Sequence, residues 1–136
     1  MVCIIDDDRS VRNALKRLLL SAGFSARTYA SAKEFLDDDS CSDLLCVISD
    51  VKMHGMSGLD LSRKLKAGGR CATFIFLTAH DTPEARLEAQ ESGGVAYFRK
   101  PVDDQALIDA IEWAASRQGG KSRSGEISNG NKTKVQ

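Results

Sequence analysis

No apolar run in the chain approaches the roughly 18–20 residues that a bilayer-spanning helix requires. The N-terminus also lacks a basic region followed by an apolar stretch and a small-residue cleavage site, so no secretory signal is read there. The expected location is cytoplasmic, and no membrane partner is expected. Cys3, Cys41, Cys46 and Cys71 contain no C-x-x-C pair. Metal or redox use of the cysteines is therefore not indicated, and Cys3 and Cys46 fall where a reduced cysteine serves as a small apolar residue. No internal repeat is present. Net charge is missing as well: 19 Lys and Arg balance 19 Asp and Glu. From Arg117 onward there are five basic residues and one acidic, leaving 14 basic and 18 acidic in residues 1–116. An acidic body suits a cation site better than a nucleic-acid groove.

What is present is alternation. With 136 residues the chain has room for one domain with a real core. Short apolar runs predict strands over Val2–Ile5, Phe24–Tyr29, Leu44–Ser49, Thr73–Thr78 and Val95–Phe98. Between them lie helical patterns. Val11, Leu15, Leu18 and Leu19 share one face, with Ser10 placed to cap that helix and Gly23 to end it. Ser31–Leu36 suits a short helix, followed by the acidic loop Asp37–Asp39. Leu59, Leu61 and Leu65 suggest a helix ended by Gly68-Gly69. Pro83 can begin another that stops at Gly93-Gly94. Asp103–Ala115 is the last. The order is five β–α units, which implies an α/β fold with a doubly wound, five-stranded parallel sheet and helices on both faces. After Ala115 the composition turns to Ser, Gly, Lys and Asn. The chain is accordingly divided into a domain over 1–116 and a disordered polar tail or remnant linker over 117–136.

Ligands of open α/β sheets sit beyond the carboxyl ends of the strands, so the residues at those ends carry the functional reading. Strand 1 ends in Asp6-Asp7-Asp8, strand 3 in Asp50, strand 4 in Thr78-Ala79 and strand 5 in Arg99-Lys100-Pro101. Carboxylates brought together resist joint ionisation unless a cation compensates. Oxygen donors favour Mg²⁺, which accepts one or two carboxylates and keeps several waters. Asp50 is then the candidate nucleophile toward a phosphoryl group, with Lys100 neutralising charge and the Thr78 hydroxyl within reach of phosphoryl oxygens.

Four segments together, V-C-I-I-D-D-D, V-I-S-D-V-K-M-H-G-M-S-G, F-L-T-A-H and Y-F-R-K-P, resemble the receiver domains of bacterial two-component response regulators across about residues 1–116. The S-D-V-K-M-x-G-M-S-G wording is similar to receivers of the nitrogen-fixation regulator type. The resemblance implies a (βα)5 flavodoxin-like, chemotaxis-regulator-like fold. It implies a switch that takes a phosphoryl group on Asp50, as 4-aspartylphosphate, from a sensor histidine kinase or phosphotransfer protein docking near the first helix. Such a protein catalyses only its own phosphotransfer and dephosphorylation.

The resemblance also implies roles for single residues. Asp7 and Asp50 are direct Mg²⁺ ligands, Asp6 holds a water of the shell, and Lys52 supplies a backbone carbonyl. Thr78 is the switch hydroxyl, Ala79 the small residue beside the phosphate, and Lys100 the phosphate-binding lysine. Pro101 follows a cis peptide bond, and Tyr97 is the switch aromatic. Lys52 and His80 flank the acceptor, at positions that tune aspartyl-phosphate hydrolysis. Output is through a protein interaction, homodimerisation on phosphorylation included. His54 departs from the pattern by standing where the family has proline; it and His80 are otherwise solvated loop histidines. Asp8 reads as the residue leading into the first helix rather than a ligand.

Two other classes stay open. One is an aspartate-nucleophile phosphatase or hydrolase, whose D-x-D spacing Asp6 and Asp8 meet. The other is a DNA-binding transcription regulator whose output domain is absent. Neither the short polar stretch after Ala115 nor its sparse charge favours direct nucleic-acid binding.

Overall fold

The computed structural model describes residues 1–38, 44–70 and 72–119. Cys41, Cys71, Asp39 and residues 120–136, which hold most of the expected polar tail, lie outside the described residues. Among the described residues ten elements alternate strictly. These are β1 (Val2–Ile5), α1 (Arg9–Ser21), β2 (Ala26–Tyr29), α2 (Ala32–Asp37), β3 (Cys46–Asp50), α3 (Gly58–Ala67), β4 (Phe74–Thr78), α4 (Pro83–Glu91), β5 (Ala96–Arg99) and α5 (Asp104–Gly119). All strand pairs are parallel, in the order β2-β1-β3-β4-β5. The doubly wound five-stranded sheet with five flanking helices expected from the β–α alternation is the observed fold.

Alternation along the strands explains why they read as unbroken apolar runs. Successive side chains point to opposite sheet faces, and here both faces are covered. Cys3, Ile5, Val47, Phe74 and Phe76 face a core closed by Phe35, Leu61, Leu65 and Ala89 from α2, α3 and α4. Val2, Ile4, Cys46, Ile48, Ile75 and Leu77 face a second core closed by Leu15 and Leu19 of α1 and by Leu107, Ile108 and Ile111 of α5. Each fully buried aliphatic side chain contributes about 1.5–3 kcal/mol, so the two cores are the main source of stability. Among the described residues no helix is long and apolar enough to cross a membrane.

Helix starts follow local chemistry. Ser31, Ser57 and Thr82 each accept a hydrogen bond from the amide three residues on, Glu34, Asp60 and Ala85 respectively, satisfying one otherwise unpaired N–H of the first turn. Pro83 occupies the first turn of α4, where its missing N–H costs nothing.

Several boundaries differ from the expectation by one to four residues, and three of the differences have a local cause. The cap of α1 is Asp8, not Ser10: its carboxylate accepts from Ser10 N at 2.9 Å and Val11 N at 3.4 Å. A carboxylate there also complements the positive end of the helix dipole. β2 begins at Ala26, because Phe24 and Ser25 form the turn out of α1, with Phe24 N donating to Leu19 O at 2.9 Å. α5 continues past Ala115 to Gly119, since Ser116, Arg117 and Gln118 are all tolerated in a helix and glycine is common where a helix ends.

Cys3 and Cys46 point into different cores and are both buried, so no disulfide joins them. Desolvation pushes the Cys46 thiol up to about 12, and the thiolate is the reactive form. Peptide mapping after brief iodoacetamide treatment of the native protein is therefore expected to find Cys3 and Cys46 unmodified, and both modified once denaturant is added. Rapid native labelling of Cys46 would show that the β1–β3 core opens far more readily than its packing indicates.

Candidate functional site

The sheet order reverses between β1 and β3, the usual location of a binding crevice in an open α/β sheet. Strand register assembles the site there. Ile5 pairs with Ser49 and Asp50 with Leu77, while Thr78 pairs with Arg99. Asp6, Asp50, Thr78 and Lys100 therefore leave neighbouring strands at the same edge.

Asp6, Asp7 and Asp50 present carboxylate oxygens within 4.8 Å of one another. Lys100 Nζ donates to Asp6 Oδ2 at 2.8 Å and to Asp50 Oδ2 at 3.1 Å. The other Asp6 oxygen accepts from Asp8 N at 2.9 Å, and Arg12 donates to the Asp6 backbone carbonyl at 2.8 Å. Asp50 Oδ1 accepts from Lys52 N at 3.3 Å. Asp6 is 1% exposed, whereas the Asp7 side chain is 38% exposed. Asp6 is thus buried and held from both sides, and Asp7 opens to solvent.

Burial, and next the Asp6 charge, push Asp50 above the ordinary carboxylate range against the opposing pull of Lys100. Burial pulls Lys100 down, but Asp6 and Asp50 outweigh it and hold the ammonium above its usual value. The arrangement carries three carboxylates and one fixed cation. A donor set made of oxygen, with one carboxyl strained by its anionic neighbour, fits a hard divalent cation.

The remaining predicted residues lie around this cluster. Thr78 is buried; its hydroxyl donates to His80 O at 3.2 Å and accepts from His80 N at 3.0 Å, so it is turned along the β4–α4 loop. Ala79, Lys52 and His80 are exposed. The Lys100–Pro101 peptide is cis. Tyr97 is half-buried against the α2–α3–α4 core, and its hydroxyl has no hydrogen-bond partner among the described residues. Burial, and next the Asp81 carboxylate, push that hydroxyl's ionisation up.

Two residues beside Tyr97 escaped the sequence reading. Arg86 donates to Asp81 Oδ2 at 2.5 Å and lies over the Tyr97 ring, 5.6 Å from its centre. An Asp and an Arg five apart, with the Asp before the helix start, match no helical pairing rule, so only the geometry reveals the pair. Arg12, which pins the end of β1, was equally hidden.

The family description "Response regulator receiver domain" matches residues 2–112. The chain belongs to that family, whose members are switch domains rather than enzymes in the ordinary sense. It is 37% identical over 122 residues to the transcriptional regulatory protein FixJ of Azorhizobium caulinodans, covering 90% of this chain and 58% of that protein. It is 39% identical over 114 residues to the response regulator protein TodT of Pseudomonas putida, covering 84% of this chain and 50% of that protein. The chain thus spans about half the length of the curated relatives it matches. Among solved structures, a receiver domain from Clostridium thermocellum superimposes with a TM-score of 0.79 at 32% identity, covering 87% of this chain and 95% of that one. The structure entitled FixJ-N gives 0.78 at 32% identity, covering 85% and 92%.

Proposed function

We infer that Asp50 is a phosphoacceptor and that the chain is a Mg²⁺-dependent switch fed by a histidine kinase or phosphotransfer protein. The observation that carries this reading is the Asp6–Asp7–Asp50 cluster with Lys100 bridging Asp6 and Asp50.

Asp7, Asp50, the Lys52 carbonyl and, through water, Asp6 would hold the ion. When bound, it supplies charge neutralisation for the transferring phosphoryl group. In the transfer, an Asp50 carboxylate oxygen attacks phosphorus in line. The P–N bond to the donor imidazole breaks, and the leaving nitrogen keeps the electron pair and gains a proton from solvent. Lys100 holds a fixed positive charge beside the oxygens that become anionic. Thr78 then exchanges its loop partner at His80 for a phosphoryl oxygen, with Ala79 leaving room beside it.

Tyr97 moves with Thr78 and changes the surface of α4, β5 and α5. The state with more phosphate contacts gains population by that difference alone. Protein contacts, homodimerisation among them, read out that surface. DNA binding by a longer protein carrying this domain is the second version of the same switch, favoured by the half-length match to FixJ and TodT.

A phosphatase reading would make Asp6 the nucleophile. Its side chain is 1% exposed against 10% for Asp50, with its oxygens held at 2.9 Å by Asp8 N and 2.8 Å by Lys100, so it is less open to a substrate phosphorus than Asp50. The test is incubation with acetyl phosphate, with and without Mg²⁺, read by intact mass. Wild type is expected to gain one phosphoryl group only with Mg²⁺, and Asp50→Asn none. Equal modification of both proteins would remove Asp50 from its role.

Arg86 offers a check on the switch. Its contact with Asp81 and the Tyr97 ring holds the tyrosine where it rests now. Arg86→Ala is expected to raise the rate of acetyl phosphate labelling about fivefold to thirtyfold, since a cation–π contact and an ion pair of this exposure are each worth about 0.5–1 kcal/mol and about 1.4 kcal/mol is a factor of ten. An unchanged rate would mean that Tyr97 is not held by Arg86.

A further inference from the structure

We propose that Arg12 is a positioning residue for the divalent ion: it fixes the peptide plane that carries Asp7 and so sets how tightly Mg²⁺ is held. The proposal rests on the Asp6–Asp7–Asp50 cluster being a cation site.

Arg12 stands in the first turn of α1, where its N–H donates to Asp8 O at 3.0 Å. Side chains of a helix lean toward its N-terminus, so this one runs back over the Asp8 cap toward the end of β1. Its Nη1 donates to the Asp6 backbone carbonyl at 2.8 Å. Asp6 lies just past Ile5, the last paired residue of β1. Although Arg12 touches the backbone of an acidic run, among the described residues it forms no ion pair. A guanidinium that served by charge alone would turn to a carboxylate; this one is committed to a neutral carbonyl.

A peptide group is planar, so Asp6 O, Asp7 N and the Asp7 Cα move together. Holding the carbonyl therefore holds the stem from which the Asp7 carboxylate projects. That stem has little other support. The Asp7 side chain is 38% exposed and among the described residues meets only the His54 ring, at 3.4 Å. Asp6 and Asp50, in contrast, are joined by Lys100. Two more contacts close the same turn, Asp8 N to Asp6 Oδ1 at 2.9 Å and Ser10 N to Asp8 Oδ1 at 2.9 Å. Neither of them engages the Asp6–Asp7 peptide.

Mg²⁺ demands near-octahedral geometry, so a displaced ligand weakens it. Groups that orient metal ligands commonly set affinity by about 10–100-fold. Charge acts in the opposite sense, because a cation near a divalent ion repels it. The sign of the effect separates the two roles.

The experiment is calorimetric titration of the chelator-stripped full chain with Mg²⁺, for wild type, Arg12→Met, Arg12→Lys and Arg17→Ala. Arg12→Met keeps an apolar stem and removes both donor and charge; it is expected to bind Mg²⁺ about tenfold more weakly. Arg12→Lys keeps a cationic donor and is expected to recover most of that loss. Arg17 is exposed on the same helix, and Arg17→Ala removes a charge away from the turn, so affinity is expected to stay within about twofold of wild type. Mg²⁺ bound by Arg12→Met as tightly as by wild type, or more tightly, would overturn the proposal and leave Arg12 a neighbouring charge. No recovery in Arg12→Lys would overturn it too, since one donor to Asp6 O is all the contact requires. A metal-free readout accompanies the titration: in EDTA, hydrogen exchange at the Asp8 amide is expected to quicken about tenfold in Arg12→Met, and unchanged exchange would show that Arg12 does not hold the turn. Asp7→Asn addresses the cation site itself and is expected to weaken Mg²⁺. If Asp7→Asn weakens the ion and Arg12→Met does not, the proposal alone fails; if Asp7→Asn binds as wild type does, the cation-site reading fails and the positioning role with it.

Discussion

Replacing Lys100 with Met is expected to lower the melting temperature by about 8 °C in the presence of chelator, and Mg²⁺ is expected to restore most of that loss. The reasoning starts from the two carboxylates that Lys100 joins. Asp6 is 1% exposed and the Asp50 side chain 10%. Removing one member of a buried ion network leaves uncompensated charge and costs about 3–5 kcal/mol when burial is complete. Lys100 itself is 19% exposed and the cluster opens to solvent at Asp7, so screening reduces the figure to about 2 kcal/mol. For a domain of this size that corresponds to the shift stated above.

Mg²⁺ restores stability because a ligand that binds only the folded state adds RT ln(1 + [L]/Kd). It should also bind the variant more tightly, since Lys100 no longer competes for Asp6 and Asp50. Thermal melts with EDTA and with graded Mg²⁺ read both effects. A variant as stable as wild type in EDTA would show that the ammonium is not what holds these carboxylates together.

The same electrostatics fix a pH dependence. Asp50 ionises above its ordinary range in the folded chain. Between its unfolded and folded values the native state therefore binds more protons than the unfolded one, and stability falls as pH rises through that window. Without divalent ion, Asp50→Asn is expected to be more stable than wild type above the folded value and to lose that advantage as pH falls through the window. A carboxylate held by cations alone would show the opposite slope.

Much of this geometry was legible because it depends on strand ends. Four apolar runs finish in polar residues of complementary chemistry, and a parallel sheet has only one edge where such ends can meet. The unbroken run through Cys46, Val47 and Ile48 was readable because both of its faces are covered. β2 was less legible: it lies at the sheet edge, and its Ala26-Arg27-Thr28 is only partly buried, so no strong pattern is required of it. The α1 cap was misplaced because Asp8 and Ser10 are both good capping residues two positions apart, and only the hydrogen bonds to Ser10 N and Val11 N show that Asp8 takes the role. The Asp81–Arg86–Tyr97 arrangement could not be read at all, since it depends on how α4 lies over β5 and not on any spacing along one element.

Gly58 carries a requirement that its sequence context only hints at, and Gly58→Ala is expected to cost about 3 kcal/mol, the upper range for forcing atoms into a packed interior. Gly58 begins α3, immediately below the end of β3, and its N–H donates to Val51 O at 3.1 Å. A methyl group there would stand 2.6 Å from Ser49 Oγ and closer still to the Asp50 backbone carbonyl. Ser49 is buried and its hydroxyl is already bonded to Asp50 O at 3.0 Å, so neither neighbour can yield without moving the backbone that aims the Asp50 side chain. The damage should therefore reach the site as well as the fold: slower acetyl phosphate labelling together with a lower melting temperature. Gly68, at the other end of the same helix, supplies the comparison. A methyl group there meets nothing nearer than Lys64 O at 3.6 Å, and its φ of −86° suits any residue. Gly68→Ala is expected to leave labelling unchanged and to keep or slightly raise stability, because it restricts the unfolded chain without straining the folded one. If the two substitutions behaved alike, the close approach of α3 to the phosphoacceptor strand would not be what glycine is needed for at position 58.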